Sequence, residues 1–284
     1  MRVSINLLCH TGFVERSHVA ILELAKATGF DGVEIPVLSG EPRHYEWLGK
    51  QLDRIGLSRT STSIVDSLEA NPVSSDPGFR ARGVEHLNWA LECSVALGSE
   101  SVGGPFHAPL GQFTGSGPTE DELNWGADAH RQMAENAQQN GIFLSLEPLN
   151  RFESYFLNTA EQARSYAERV GHPAFRIMYD TFHSHIEERD QLQAVRTLKG
   201  HVGVVHASEN DRGIPGRGQI DFPAIFRELR DGGFDNWIVV EAFGDSVPEL
   251  AAATRVWRPL FPDIETLFRE SYTFVRGTWQ EAAP

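Results

Sequence analysis

Leu144-Ser145-Leu146-Glu147-Pro148-Leu149-Asn150-Arg151-Phe152-Glu153 has the pattern of a buried strand that runs out onto a charge. With Ile142 and Phe143, residues Leu144 and Leu146 make a short apolar run. Such a run suits a parallel strand covered on both faces. It ends on a carboxylate, Glu147, and Pro148 blocks its continuation. A second carboxylate, Glu153, follows in the loop. A charge at the end of a buried strand is costly without a partner. Alone, Glu147 is as well explained by a neighbouring Arg or Lys as by a metal or a reaction.

The same pattern recurs. Apolar runs over 175–179, 201–205 and 237–240 end at Asp180, His206 and Glu241. Earlier in the chain, strands are expected over 3–9 (ending at His10), 30–35 (closing on Glu34), 57–65 and 101–104. Helices are expected between them. One is capped by Ser17 and stopped by Gly29, and one covers 43–55. A long one carries Val84, Leu87, Leu91, Val95 and Leu97 and ends at Gly98. Thr119 with Glu122 forms a capping box for a helix to Asn140, and Asn158 or Thr159 starts another to Val170. Further helices are expected over 190–198 and 222–229, and in pieces from Pro248 to about Arg276. Eight strand–helix alternations with no break in composition predict an α/β chain forming one (β/α)8 barrel domain over residues 1–284. A doubly wound sheet would call for a Gly-rich phosphate turn after the first strand. Leu8-Cys9-His10-Thr11-Gly12 is not one.

Composition excludes several functions. With 284 residues, 40% of them hydrophobic, and a net charge of −14, the chain does not suit a nucleic-acid surface, which needs clustered Lys and Arg. Cys9 and Cys93, far apart in apolar contexts, give neither a disulfide framework nor a thiolate zinc site. No apolar run approaches membrane-spanning length. The first residues enter a strand without the apolar region of a signal peptide, so the cytoplasm is the expected compartment.

In such a barrel the C-terminal strand ends form one rim, where functional groups gather. Glu147, Asp180, His206 and Glu241 close four consecutive strands, so their side chains can converge. Three carboxylates and an imidazole sharing a dry pocket need a positive charge. A divalent ion supplies it, and an oxygen-rich set with one nitrogen suits Mn2+, Mg2+ or Co2+. Glu153, His183 and Arg212 each follow a ligand at short range and are expected to hold a polyhydroxy substrate. A loop salt-bridge network is the plainer alternative for them. His185, Glu187 and Glu188 fit a solvated helix start. Gly213, Gly216 and Gly218, interleaved with Arg212 and Arg217, leave open a phosphate on the substrate. The Pro- and Gly-rich segment 105–118 is long enough for a lid.

These motifs carry a resemblance. Glu147-Pro148-Leu149-Asn150-Arg151-Phe152-Glu153, Tyr179-Asp180-Thr181-Phe182-His183, His206-Ala207-Ser208-Glu209-Asn210-Asp211-Arg212-Gly213 and Val240-Glu241 are similar to those of the D-tagatose 3-epimerase and D-psicose (D-allulose) 3-epimerase family, among the xylose-isomerase-like TIM barrels. Asp31-Gly32-Val33-Glu34-Ile35-Pro36, Gly103-Gly104-Pro105 and Val256-Trp257-Arg258-Pro259-Leu260 extend it over nearly the whole chain. The resemblance implies one Mn2+ or similar ion on Glu147, Asp180, His206 and Glu241. It implies Glu147 and Glu241 as the acid/base pair, with Glu153, His183 and Arg212 on the ketose. It further implies a small-molecule ketose as the partner and a homo-oligomer, dimer or tetramer. Relatives often carry an aromatic side chain against the sugar near His10, so His10 is a substrate-binding candidate that departs from the pattern.

The chemistry fits the residues independently. Epimerisation beside a ketone removes a carbon-bound proton from one face and returns it to the other. A metal-stabilised cis-enediolate and two carboxylates on non-adjacent strands accomplish this without a redox cofactor. The same fold also admits an aldose–ketose isomerase, a hydroxypyruvate isomerase or an inosose dehydratase. A non-catalytic sugar-binding protein would not need both Glu147 and Glu241.

Overall fold

In the computed structural model, which describes residues 1–245 and 247–282, eight parallel strands close on themselves in sequence order. They are β1 (Arg2–Asn6), β2 (Gly32–Pro36), β3 (Ser58–Thr62), β4 (Ser101–Gly104), β5 (Phe143–Leu146), β6 (Phe175–Asp180), β7 (Val202–Ser208) and β8 (Trp237–Glu241). β1 pairs with β8, with Ile5 opposite Val240, and so completes the barrel. Outside lie α1 (Val19–Thr28), α2 (Pro42–Ile55), α3 (Pro77–Leu97), α4 (Glu120–Gln139), α5 (Ala160–Val170), α6 (Thr181–Glu187), α7 (Gln191–Thr197), α8 (Phe222–Asp231), α9 (Pro248–Thr254) and α10 (Ile264–Glu281). This is the expected (β/α)8 fold.

Helix ends follow local chemistry. Gly29 and Gly98 stop α1 and α3 in the left-handed conformation, φ 112° and 72°. Thr119 and Glu122 form the capping box of α4, and Thr159 with Gln162 forms that of α5. Three expectations need correction. The first strand ends at Asn6, not Cys9, because the Asn6 side chain accepts the Leu8 N–H and turns residues 7–9 into a 3-10 turn. Ser17 does not cap α1. It lies inside a second 3-10 turn, Arg16–His18, capped by Glu15. β3 stops at Thr62, short of Val65.

The barrel interior is layered. Trp237, Met178, Val204 and Val239 form an apolar cluster, with Phe143 against it. Below it, the Arg2 guanidinium lies 4.0 Å over the Trp237 ring and pairs with both Glu100 oxygens, at 2.7 and 2.6 Å. Period-two alternation then carries β8 from Trp237 and Val239 to Glu241, and β7 from Val204 to His206. The polar groups therefore emerge together at the C-terminal strand ends.

Gly32 leaves no room for a methyl group. A Cβ there would lie 2.5 Å from the Ser58 carbonyl oxygen and 2.8 Å from the Trp237 ring. Gly32→Ala is expected to cost about 1–3 kcal/mol. Within α10, a Cβ on Gly277 would meet nothing within 4 Å, so Gly277→Ala should add roughly 0.5–1 kcal/mol. Urea midpoints should move in opposite directions. An unchanged midpoint for Gly32→Ala would contradict the packing described.

Candidate metal centre and active site

Strand register brings the four strand-end residues together. Asp180 pairs with His206 across β6 and β7, and Glu241 sits opposite Ser208 on β8. Glu147 directly follows β5, its N–H held by the Gly104 carbonyl at 3.0 Å. One ligand atom from each of Glu147, Asp180, His206 and Glu241 lies within 4.8 Å of the others, and all four residues are buried.

His206 is oriented from behind. Its Nε2 lies 2.8 Å from Glu34 Oε2, and Glu34 is itself held by Asn6 Nδ2 (3.0 Å) and Thr60 Oγ1 (3.1 Å). With the proton directed to Glu34, the Nδ1 lone pair faces Glu241 Oε1 at 3.1 Å and Glu147 Oε1 and Asp180 Oδ2 at 3.8 Å. His206 Nδ1 and Asp180 Oδ2 are both buried without a hydrogen-bond partner. Two orphaned acceptors aimed at one point, with two more carboxylates beside them, fit a cation. Three oxygen donors and one nitrogen suit a hard divalent ion.

The carboxylates are driven apart electrostatically. Burial pushes Glu147 well above the usual carboxylate range, and repulsion from Glu241 and Asp180 adds to this against His206. Burial and Glu241 push Asp180 up to about 7. Burial would raise Glu241 too, but His206 and Arg212 outweigh it and hold it at about 2. Burial opposes charge on His206, yet Glu34 and Glu241 raise it well above its ordinary value, which puts on Nδ1 the proton that an ion would displace. Glu147 and Glu241 place two carboxylates from non-adjacent strands at one site, the arrangement that an acid and a base need.

Arg212 reaches in from the loop after β7. Its Nη1 donates to Glu241 Oε2 (2.6 Å) and Ser208 Oγ (3.1 Å). Its guanidinium lies between the Phe182 and Phe243 rings, at 3.7 and 5.0 Å. His183 Nδ1 accepts the Asn150 N–H at 3.0 Å, which assigns its proton to Nε2. That nitrogen lies 3.1 Å from Arg212 Nη2 and 3.7 Å from Glu147 Oε1. Burial and Arg212 keep His183 neutral. Two N–H donors this close can share one acceptor set beside them, a place for a substrate oxygen. Glu153 accepts from Asn150 Nδ2 at 2.8 Å and lines a cavity of about 400 Å³ with Phe152, Phe182, Arg212 and Trp257. A larger cavity of about 940 Å³ lies at the opposite barrel end, lined by His172, Arg176, Lys199 and Asp235 among others. The perturbed carboxylates are not there, so the site belongs to the C-terminal strand ends.

Segment 105–118 lies on the same rim, with the Gly111 N–H donating to the Glu153 carbonyl at 2.9 Å. The His10 ring instead sits edge-on to His18, 5.4 Å away. Glu187 and Glu188 are not a solvated helix start. Glu187 accepts from Arg151 N and Nε, and Glu188 accepts from Ala160 N. Glu209 revises the phosphate expectation, because its own carboxylate takes the loop amides of Asn210, Gly216, Gln219 and Ile220. Sequence inspection noted Glu34 as a strand-end acid without a role. It missed Asn6, Ser208, Phe182, Phe243 and Glu209 as parts of the site. Glu34 alone carried a signal, the same apolar run closed by a charge.

A family described as xylose isomerase-like TIM barrel matches residues 22–270. L-ribulose 3-epimerase of Mesorhizobium japonicum is 34% identical over 88% of this chain and 84% of its own length. Ketose 3-epimerase of Arthrobacter globiformis is 30% identical over 97% and 96%. A solved L-ribulose 3-epimerase superposes with a TM-score of 0.92 at 32% identity, covering 99% of this chain and 95% of the other. D-allulose 3-epimerase from Methylomonas sp. in complex with D-allulose gives 0.91 at 26% identity, over 98% and 97%.

Protons and a metal ion compete for these carboxylates. The raised Asp180 pKa contributes stability that is present below its unfolded value of 3.8 and lost as pH rises through about 7. A divalent ion such as Mn2+ would replace that proton, so its apparent affinity should climb about tenfold between pH 5 and pH 6. Added Mn2+ should also raise Tm more near pH 8 than near pH 5. Calorimetric titration and thermal melts check this. A pH-independent response, or full binding by Asp180→Asn, would contradict the cluster as a metal centre.

Proposed function

The chain belongs to the xylose isomerase-like TIM barrels and, among them, to the ketose 3-epimerases, and we propose that it inverts the C3 centre of a free ketose of the L-ribulose, D-psicose or D-tagatose type. The observation that carries this is the pair Glu147 and Glu241. They stand at the non-adjacent strand ends of β5 and β8 and share one buried site. Glu147, Asp180, His206 and Glu241 would hold the ion, Mn2+ before Mg2+ or Co2+. When bound, the ion offsets the carboxylate charge and polarises the ketose oxygens.

The chain's own residues do the rest. One of Glu147 and Glu241 takes the C3 proton, and the other returns a proton to the opposite face. One C–H bond breaks and one forms, with no net change of oxidation state. Roles exchange with the direction of reaction. His183 Nε2 and Arg212 Nη2 converge on a sugar oxygen, and the Glu153 carboxylate, on the cavity wall, takes a hydroxyl. His10, just after β1, is the remaining candidate for a sugar contact, and its ring would have to leave His18 to make one. The Glu209 carboxylate in the amide-rich loop supports an unphosphorylated substrate, because the groups that would bind phosphate are taken.

The proposal includes a cytoplasmic location and a homo-oligomer. No helix among the described residues is long and apolar enough to cross a membrane. Leu68, Phe113, Phe152 and Trp257 are exposed on the loops that follow β3, β4, β5 and β8. Apolar exposure on that one rim supports a second copy near the mouth of the site. Light scattering at micromolar protein should read a dimer or tetramer.

Replacing Glu147 or Glu241 with Gln keeps an oxygen for the ion and removes proton transfer. Each variant should lose on the order of a hundred-fold or more in kcat. In D2O each should still exchange the C3 proton of one epimer, and the two should label different epimers. Near-normal turnover by both, with metal bound, would contradict the two-carboxylate mechanism. Arg212→Ala removes a charged donor and should raise KM by roughly tenfold to a hundredfold, with metal content unchanged. Loss of metal in that variant would contradict its assignment to substrate.

A further inference from the structure

The chain between β7 and α8 is built around an anion that the protein supplies itself. Glu209 is fully buried. Its Oε1 accepts the N–H groups of Asn210 (3.0 Å), Gln219 (3.1 Å) and Ile220 (3.2 Å), and its Oε2 accepts that of Gly216 (2.9 Å). A buried carboxylate is costly unless donors of this kind surround it. Converging main-chain N–H groups form an anion-binding concavity, and here a side chain fills it. The fit is close, since a Cβ on Gly218 would lie 2.4 Å from Glu209 Oε1.

The same turn holds Arg212 in the left-handed region, φ 67°. That conformation is costly for a residue with a side chain and persists only where the surroundings enforce it. Two bonds do so locally. Arg212 N–H donates to the Glu209 carbonyl, and Phe243 N–H donates to the Arg212 carbonyl, both at 2.9 Å. Glu209 thus starts the turn with its main chain and ties down the far end, residues 216–220, with its side chain. Gly216 through Gln219 are solvent-exposed. Besides Glu209, they are held by the Gln219 N–H to Asn210 Oδ1 (2.8 Å), the Arg217 N–H to the Ile214 carbonyl and the Arg217–Glu270 ion pair, so the Glu209 carboxylate is the group that ties Gly216, Gln219 and Ile220 to one point.

We propose that Glu209 is a positioning residue, whose carboxylate gathers four loop amides and thereby delivers the Arg212 guanidinium to Glu241, Ser208 and His183. Its kinetic consequence rests on the role given to Arg212 above. Its structural consequence does not. Asp would be too short to span the amides. Gln would keep an acceptor for three of them and turn an NH2 group against the Gly216 N–H.

A double-mutant cycle on the Mn2+-loaded enzyme tests the proposal, with the free ketose that the wild type epimerises fastest. Glu209→Ala should lower kcat/KM by about tenfold or more, chiefly through KM, with Mn2+ affinity within about threefold of wild type. In an Arg212→Ala background the same substitution should cost less than about threefold, because nothing remains to be positioned. Acetate should restore part of the lost affinity to Glu209→Ala, and neutral acetamide should not, since the emptied concavity favours an anion. A further loss of about tenfold in the double variant, or equal rescue by both additives, overturns the proposal. Crystals of Glu209→Gln read the geometry without any activity, so they decide the case even if the wild type epimerises no ketose or Glu209→Ala fails to fold. The guanidinium should be displaced from Glu241, and an unmoved Arg212 would refute the assignment.

Discussion

Carboxylates crowded into a dry barrel end must be neutralised, and most of the site follows from how that is done. Glu34, Glu147, Asp180 and Glu241 are all buried there, against the Arg212 guanidinium and the His206 imidazole, with the neutral His183 ring beside them. In water four such charges would be screened, but in a low-dielectric interior each repels the rest strongly. The protein sorts them. Glu34 is matched to His206 at 2.8 Å, and Glu241 is matched to Arg212 at 2.6 Å. Glu147 and Asp180 are left with raised proton affinity. A divalent ion would answer the remaining deficit.

The barrel supports this concentration of charge by separating layers. Trp237, Met178, Val204 and Val239 close the interior beneath the site. The Arg2–Glu100 pair seals the other end. The candidate ligands come from strand ends, where the backbone is fixed on both sides by neighbouring strands. The side chains proposed for the substrate come from the loops, where Arg212 and Glu153 are held by specific hydrogen bonds. Under that proposal, precision lies where an ion would need it, and adaptability where sugars differ.

The four clustered residues were legible in the sequence because their signal is local: an apolar run closed by a metal-capable side chain, four times in succession. Helix caps such as Thr119 and Gly98 were legible for the same reason. What could not be read depends on closure. Glu34 meets His206 across 172 residues only because β1 joins β8 and brings β2 round to face β7. The end of β1 was misjudged because one Asn side chain captured a main-chain N–H and bent the chain. Glu187 reads as part of a solvated helix start in the sequence, and Glu209 carries no role there beyond its place in a motif. Each instead takes main-chain N–H groups that only the folded loops bring near.

Proton exchange at carbon tests the account most directly. The wild-type protein, stripped of metal and reloaded with Mg2+ to avoid paramagnetic broadening, can be incubated with a free ketose in D2O and the sugar pool followed by NMR. Solvent deuterium should enter C3 as the epimer appears, none should enter C1, and no exchange should occur without the ion. Deuterium at C1 with an aldose product would make the protein an aldose–ketose isomerase. C3 exchange undiminished in the stripped protein would contradict the metal centre on which the account rests.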